Sequence, residues 1–200
     1  MKDTVVVFAR APRLGAVKRR LARDIGGRAA LRFHIGTLYG LLRSLRRDRL
    51  FRTFLATTPD HAKFALPWRV ARVPQGHGDL GQRMDRACRR FQRGNVVIVG
   101  CDIPEASAAD ARAAFRALGS ASAVFGPAED GGYWLVGLAP NRPARPFANA
   151  RWSSEHALTD TLANFRGRRV ARLRCLRDVD TAADMPLRPH AATQLTVRRF

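Results

Sequence analysis

The apolar positions of the chain follow two patterns, short β-branched runs and longer stretches with helical spacing. Residues 5–8 form a run without a polar side chain, which is typical of a parallel strand covered by helices on both faces. Leu31, Ile35, Leu38 and Leu42 are separated by four, three and four positions, with arginines between them. This spacing predicts an amphipathic helix after the first strand.

The same alternation continues along the chain. It predicts further strands over residues 50–57, 68–73, 96–99 and 123–125, and helices over residues 80–91 and 107–118. This order predicts a three-layer α/β/α fold with a mostly parallel sheet, in a single domain over residues 1–200. Ligands of such sheets bind at the carboxyl ends of the strands, so the loops after strands are the candidates for chemistry.

Charge is abundant but unevenly distributed. The chain has 36 Lys and Arg against 16 Asp and Glu, a net charge of +20, which on its own suggests a basic nucleic-acid-binding protein. However, the aromatic residues lie in apolar runs and not among the arginines, so stacking platforms for bases are not evident. Residues 10–52 hold thirteen cations and two acids, whereas residues 95–138 hold five acids and two arginines. One crevice that joins the two regions would suit a polyphosphate bound with a divalent cation.

Two features bear on location and redox state. No apolar run approaches the roughly 18 residues that a membrane-spanning helix needs, and the first run is short for a signal peptide. The three cysteines are odd in number and far apart, which argues against a disulfide framework or a zinc site. We expect a soluble, reduced, cytoplasmic protein without a membrane span.

The loop after the first strand contains Arg10, Pro12, Gly15, Lys18 and Arg20, and leads into a helix. A helix N-terminus presents free N–H groups and the positive end of the helix dipole, so a phosphate could bind there with Lys18 and Arg20 over it. The loop lacks the Walker A pattern. The alternative is a solvated, cationic helix face.

Residues 76–81 match the dinucleotide-binding pattern G-x-G-x-x-G, and Asp102 follows the last glycine by 21 residues. This leaves an NAD(P)-binding oxidoreductase as an alternative. Against it, the charge of Asp79 would face the pyrophosphate of the dinucleotide. We favour a glycine-rich turn in which Asp79 caps the following helix.

Two acidic segments follow predicted strands. Asp102 comes directly after the most apolar strand, where a carboxylate is well placed to bind a divalent metal. Asp130 lies in a second segment, residues 129–134, whose paired acids, glycines and aromatic residues could bind metal, sugar hydroxyls or a base. An ordinary hairpin turn is the alternative for this segment. His34 falls within a helical pattern, for which a structural or solvated role is favoured over catalysis. His77 and His156 lie in loops or helix starts and stay candidates to face the crevice.

Five motifs together resemble one protein family in order and spacing. They read Phe8-Ala-Arg-Ala-Pro12, Gly15 with Lys18-Arg-Arg20-Leu21, Gly78-Asp79-Leu80-Gly81 with Arg83-Met84, Gly100-Cys-Asp102-Ile-Pro104, and Gly126-Pro127-Ala-Glu-Asp130-Gly-Gly132-Tyr133. Over residues 4–185 the chain is similar to the bacterial glycosyltransferase-A-like family of arsenosugar-biosynthesis-type glycosyltransferases. The resemblance includes Trp152-Ser153-Ser154 and Asp178-Val-Asp180-Thr181. It implies a nucleotide-diphospho-sugar transferase fold, related to the molybdenum-cofactor and phospholactate guanylyltransferases.

The resemblance also implies roles for single residues. The loop with Arg10, Pro12 and Gly15 would bind the nucleotide, and its Lys18 and Arg20 would hold the phosphates. It further implies that Asp79 and Gly81 contact the nucleoside and that Asp102 binds Mg²⁺ or Mn²⁺. The residues implied to bind the acceptor are Gly131, Gly132, Tyr133 and Trp152. Asp130 would activate or orient an acceptor hydroxyl. One departure is Arg19, which stands where the family usually has threonine.

These features predict a metal-dependent transferase that uses a nucleotide-activated donor. Glycosyl transfer from a nucleotide-diphospho-sugar to a small acceptor is favoured. Nucleotidyl transfer from a nucleoside triphosphate to a phosphorylated acceptor would use much the same residues and stays an alternative. No nucleic-acid partner is expected.

Overall fold

A computed structural model describes residues 2–185, so residue 1 and residues 186–200 of the predicted domain lie outside the described range. The strands are β1 (Asp3–Arg10), β2 (Phe51–Thr58), β3 (Ala71–Pro74), β4 (Val96–Gly100), β5 (Ala123–Pro127), β6 (Tyr133–Leu138) and β7 (Val170–Arg172). The helices are α1 (Arg19–Ile25), α2 (Gly27–Arg47), α3 (Leu80–Arg90), α4 (Ala108–Leu118) and α5 (Ala157–Ala163), followed by a 3₁₀ turn, Ala182–Asp184.

The seven strands form one sheet in the order β3-β2-β1-β4-β6-β5-β7. Six of them are parallel, and β6 alone runs antiparallel to its neighbours β4 and β5. β6 is reversed because residues 128–132 turn the chain back directly after β5. The predicted mostly parallel sheet is confirmed.

Two apolar layers cover the sheet, one on each face. Val5 and Val7 of β1 belong to the layer that contains the leucines of α2, whereas Val6 packs with Met84 and Cys88 of α3 on the opposite face. Successive side chains of a strand point to opposite faces, so an uninterrupted valine run fills both layers. Each such buried side chain contributes about 1.5–3 kcal/mol relative to an exposed one. The three-layer α/β/α architecture is therefore confirmed.

One predicted strand is displaced. The pattern over residues 68–73 predicts a strand, but β3 begins at Ala71 because Trp68 packs outside the sheet. The Trp68 ring lies 5.8 Å from the Tyr39 ring, with the guanidinium groups of Arg43 and Arg46 over it. Across the described residues, each helix is too short or too polar to cross a lipid bilayer.

Candidate functional site

Lys18 and Asp102 meet at the carboxyl edge of the sheet, where the loops after β1 and β4 converge. The Lys18 Nζ lies 3.1 Å from Asp102 Oδ1 and 3.4 Å from Asp180 Oδ1. The ammonium group thus bridges two carboxylates that come from distant parts of the chain. The side chain of Lys18 is only 6% exposed, whereas that of Asp102 is 52% exposed, so the ion pair is shielded from bulk water on the lysine side.

The backbone of Lys18 adopts an uncommon conformation. Lys18 is the N-cap residue of α1 and has left-handed dihedral angles, φ 46° and ψ 49°. This region is sparsely populated by residues other than glycine, and such strain is concentrated at functional sites. The conformation supports a positioned lysine and not a solvated one.

Asp102 is ionised and accessible. Burial opposes its ionisation, but the adjacent His34 ring and the Lys18 ammonium outweigh that effect and lower the pKa of Asp102 to about 2. The side chain is still 52% exposed. Asp102 therefore presents a carboxylate to the crevice at neutral pH.

A cationic cavity of about 360 Å³ lies on one side of Asp102. It is lined by Arg10, Lys18, Arg19 and Arg20, with Asp102 and Asp180 at its acidic edge. Arg20 Nη1 lies 3.4 Å from Asp180 Oδ2. Arg19, the departure from the family pattern, thus contributes charge to the same cavity as the predicted phosphate-binding residues.

Pro12 and Gly15 lie in the loop that shapes this cavity but are not among its lining residues. Gly15 has a φ of +76°, a conformation that favours glycine, with open space around its Cα. The structure gives both residues a place in the loop; their contact with nucleotide stays a prediction.

An acidic cavity of about 390 Å³ lies on the other side of Asp102. Its charged lining residues are Asp102, Asp130 and Asp178, and none of its described lining residues is basic. The apolar part of its wall includes Tyr133 and Trp152. Asp102 is thus shared by two cavities of opposite character.

Asp130 and the glycines beside it form a tight turn between β5 and β6. Asp130 Oδ1 accepts a hydrogen bond from Gly132 N at 2.9 Å, while the residue stays exposed. Gly131 has a φ of +82°, and its carbonyl accepts a hydrogen bond from Leu158 N. Both the turn predicted for this segment and its place beside the crevice are therefore present.

The Tyr133 hydroxyl is not suited to proton transfer. Its hydroxyl lies 3.4 Å from Thr161 Oγ1, and burial raises the pKa of the phenol above its ordinary value. At neutral pH it is an uncharged side chain. Its ring contributes to the wall of the acidic cavity and lies 6.3 Å from the Trp152 ring.

Asp79 and Gly81 are not brought to either cavity beside Asp102. Asp79 is the N-cap of α3: its carboxylate accepts from Gln82 N, and the Gln82 side chain accepts from Asp79 N. Gly81 lies against the Trp152 ring, where a Cβ would collide with it. Both residues line a separate cavity of about 410 Å³. Capping, the favoured role of Asp79, is what the structure shows, and nucleoside binding stays a prediction.

Sequence reasoning gave no role at the site to three residues that the fold places there. His34, on α2, is 2% exposed, and its Nδ1 lies 3.8 Å from Asp102 Oδ1. Asp180 shares the ammonium of Lys18, and Asp178 lines the acidic cavity. The spacing of Asp178 and Asp180 by two residues was the available signal, since it places both on one side of an extended segment.

One group of side chains has the composition of a metal site. The ligand atoms of His34, Cys101 and Asp102 all lie within 4.8 Å of one another. Burial raises the pKa of Cys101 well above its ordinary value, so its sulfur is a neutral thiol.

The comparisons with known proteins agree with this architecture. Residues 41–154 match the model of a family described as uncharacterized protein conserved in bacteria (DUF2064), and the chain belongs to this family. Comparison with the curated proteins finds no match. The link to arsenosugar biosynthesis stays a prediction.

Among solved structures, the chain is similar to a protein from Desulfovibrio desulfuricans G20, provisionally named a nucleotide-diphospho-sugar transferase. The TM-score is 0.82 and the sequence identity 26%, over 90% of this chain and 84% of that one. A cytidylyltransferase from Leptospira borgpetersenii has a TM-score of 0.60 at 14% identity, over 92% and 83% of the two chains. Rv0371c from Mycobacterium tuberculosis H37Rv, in complex with manganese, has a TM-score of 0.55 at 18% identity, over 92% and 96%. The predicted fold class is confirmed.

Proposed function

We propose that the protein is a metal-dependent transferase that moves the glycosyl group of a nucleotide-diphospho-sugar to a small acceptor with a free hydroxyl. The observation that carries this proposal is the position of Asp102 between a cationic and an acidic cavity. The donor diphosphate would occupy the cationic cavity and the acceptor would occupy the acidic cavity. The bond between the diphosphate and the sugar would then lie beside Asp102. The similarity to the nucleotide-diphospho-sugar transferase from D. desulfuricans supports this class of donor.

The cationic cavity supplies the groups that a diphosphate needs. Lys18, Arg19 and Arg20 line it together with Arg10, and charge-assisted hydrogen bonds to phosphate oxygens are about twice as strong as neutral ones. The Lys18 ammonium is already fixed by Asp102 and Asp180, so it loses little conformational freedom when a phosphate binds. These residues would hold the leaving diphosphate in line with the transferred sugar.

Asp102 fits a divalent metal ion. Its carboxylate is ionised, half exposed, and directed to both cavities, and oxygen ligands of this kind suit Mg²⁺ and Mn²⁺. The manganese bound to Rv0371c, which shares the fold, supports this assignment. A bound ion would neutralise the charge that develops on the leaving diphosphate.

The acidic cavity favours an uncharged acceptor. The carboxylates of Asp102, Asp130 and Asp178 line it. Burial, together with the charges of Asp180 and Asp130, raises the pKa of Asp178. A phosphorylated acceptor would be repelled by the same carboxylates, whereas a hydroxyl can donate a hydrogen bond to one of them. Asp130 would orient the acceptor hydroxyl and take its proton. Tyr133 and Trp152 offer apolar faces for a sugar or another ring.

The charge of this cavity is also why glycosyl transfer is preferred to nucleotidyl transfer. The cytidylyltransferase of the same fold leaves nucleotidyl transfer as the second candidate. The two reactions release different products, a nucleoside diphosphate in the first and pyrophosphate in the second. An NAD(P)-dependent reaction would release neither.

The experiment is a product assay with a panel of UDP-, GDP- and CDP-sugars and of nucleoside triphosphates, each with Mn²⁺ or Mg²⁺. We expect metal-dependent release of nucleoside diphosphate from one of the sugars, even with water as a slow acceptor. Asp102→Asn should reduce this release by about 10²-fold or more. Asp85→Asn is the matched control, because Asp85 forms an exposed ion pair with Arg89 on α3. Release of pyrophosphate alone, in the presence of a phosphorylated acceptor, would overturn glycosyl transfer.

A further inference from the structure

The His34 ring is held in one orientation between β1 and Asp102. His34 is 2% exposed, and its Nε2 donates a hydrogen bond to the Arg10 carbonyl oxygen at 3.0 Å. A carbonyl oxygen only accepts hydrogen bonds, so Nε2 carries a hydrogen. Nδ1 is therefore the nitrogen that faces Asp102.

This second nitrogen lacks a partner. His34 Nδ1 is buried and has no hydrogen-bond partner among the described residues, and Asp102 Oδ1 at 3.8 Å is too far for one. A buried polar atom without a partner costs on the order of 1–3 kcal/mol. Asp102 Oδ1 already has the Lys18 ammonium at 3.1 Å, so the unmet need is that of Nδ1. A cation bound between the ring and the Asp102 carboxylate would give Nδ1 a partner.

The geometry of the pair suits such a cation. His34 Nδ1 and Asp102 Oδ1 lie 3.8 Å apart, which is less than twice a typical metal–ligand distance of about 2.0–2.2 Å, so both side chains could hold the same ion. Histidines that bind metal through one nitrogen nearly always donate the other N–H to a carboxylate or backbone carbonyl, which is the arrangement of His34 and Arg10. The Sγ atom of Cys101 lies within 4.8 Å of both ligand atoms and is the third candidate.

We propose that His34 is a second protein ligand, beside Asp102, of the divalent ion at this site, and that its imidazole makes the site prefer Mn²⁺ to Mg²⁺. The preference follows because Mg²⁺ favours all-oxygen coordination, whereas imidazole nitrogen is a good ligand for transition metals. This inference rests on the metal site of the proposed function. It adds a nitrogen ligand and selects the ion.

The test is pulsed electron paramagnetic resonance of the protein with Mn²⁺ alone, combined with calorimetric titrations of Mn²⁺ and Mg²⁺. We expect the nitrogen-14 coupling of a coordinated imidazole in the wild type and its loss in His34→Gln. The variant should bind Mn²⁺ roughly 10-fold or more weakly, with Mg²⁺ binding nearly unchanged. His61→Gln, which replaces an exposed histidine, is the matched control and should keep the coupling.

Three results would contradict the inference. Mn²⁺ binding that depends on Asp102 but shows no nitrogen coupling would remove His34 as a ligand and leave the proposed transferase intact. Nitrogen coupling that persists in His34→Gln would do the same. Mn²⁺ binding that is unchanged in Asp102→Asn would overturn both this inference and the metal site of the proposed function. If thermal unfolding without metal shows that His34→Gln does not fold, the wild-type spectrum is the test. Nitrogen-14 coupling there supports the inference, and its absence overturns it.

Discussion

A substitution at Asp130 can separate its proposed chemical role from its structural role in the turn. Its Oδ1 accepts the hydrogen bond from Gly132 N, and an asparagine retains that acceptor oxygen while losing the negative charge. Asp130→Asn should therefore leave the free energy of unfolding within about 0.5 kcal/mol of the wild type.

The same variant should lower the rate of transfer to the acceptor by about 10²–10⁴, the usual contribution of a general base, with little change in the KM of the donor. Steady-state kinetics with each substrate varied in turn check this expectation. Ser153→Ala, at an exposed position in the wall of the same cavity, is the matched control. A fall in donor affinity with unchanged turnover would contradict the role given to Asp130.

The single residues of the site were only partly predictable from sequence. Asp102 and Lys18 were found because each follows a strand, and strand ends converge at one edge of a parallel sheet. Their direct contact, and the part of Asp180 in it, depend on packing between distant segments, which local patterns do not record. The helical spacing places His34 in α2, but it does not distinguish a buried position from a solvated one or reveal which loop covers the ring, which is 2% exposed.

The turn between β5 and β6 is fixed by a glycine, which leads to a paired prediction. At Gly131 the φ of +82° disfavours any side chain, and a Cβ would overlap the backbone of Glu155. Gly131→Ala should therefore lower the free energy of unfolding by about 2 kcal/mol or more, through backbone strain and this overlap. Thermal unfolding should show a decrease of at least roughly 4–8 °C.

Gly36 on α2 is the comparison. It is exposed, it lies within the helix, and its surroundings leave a Cβ free of contact within 4 Å. Gly36→Ala should stabilise the protein by about 0.5–1 kcal/mol, because alanine loses less conformational entropy in a helix. Equal effects of the two substitutions would contradict the account of the turn.

Helices and strands were predicted to different degrees. The buried strands β1 and β4 and the helix α3 have strong apolar patterns, and their predicted positions agree with the structure to within a residue or two. α2 extends well beyond the predicted residues 31–42 at both ends, since residues that favour helix continue on either side of the apolar stripe. β7 has only three residues and lies at the sheet edge, so it leaves almost no periodic signal.

The net charge of +20 has different consequences for the three classes of partner that the sequence left open. A nucleotide-sugar transferase should be stabilised by a nucleoside diphosphate with a divalent ion, because this pair binds the folded crevice and not the unfolded chain. At about 100 times its Kd, the ligand adds about 2.7 kcal/mol of stability. For a chain of this size the melting temperature should rise by roughly 5–10 °C.

NAD(P) should produce no comparable shift, because the glycine-rich loop over residues 76–81 is occupied by the protein's own contacts. Arg86 donates to the carbonyl oxygens of Gln75 and His77, and Asp60 accepts from Gly76 N. The affinity for duplex DNA should fall steeply as the salt concentration rises, as in non-specific binding. A shift with NAD(P) alone, insensitive to metal, would contradict the proposed function.

The positions of Mn²⁺ and a nucleoside diphosphate, determined by anomalous diffraction from a crystal of the protein with both, test the central claim most directly. We expect an ion within about 2.3 Å of an Asp102 carboxylate oxygen, with the diphosphate within hydrogen-bonding distance of Lys18 Nζ. A diphosphate seated on residues 76–81, with the ion remote from Asp102, would contradict it.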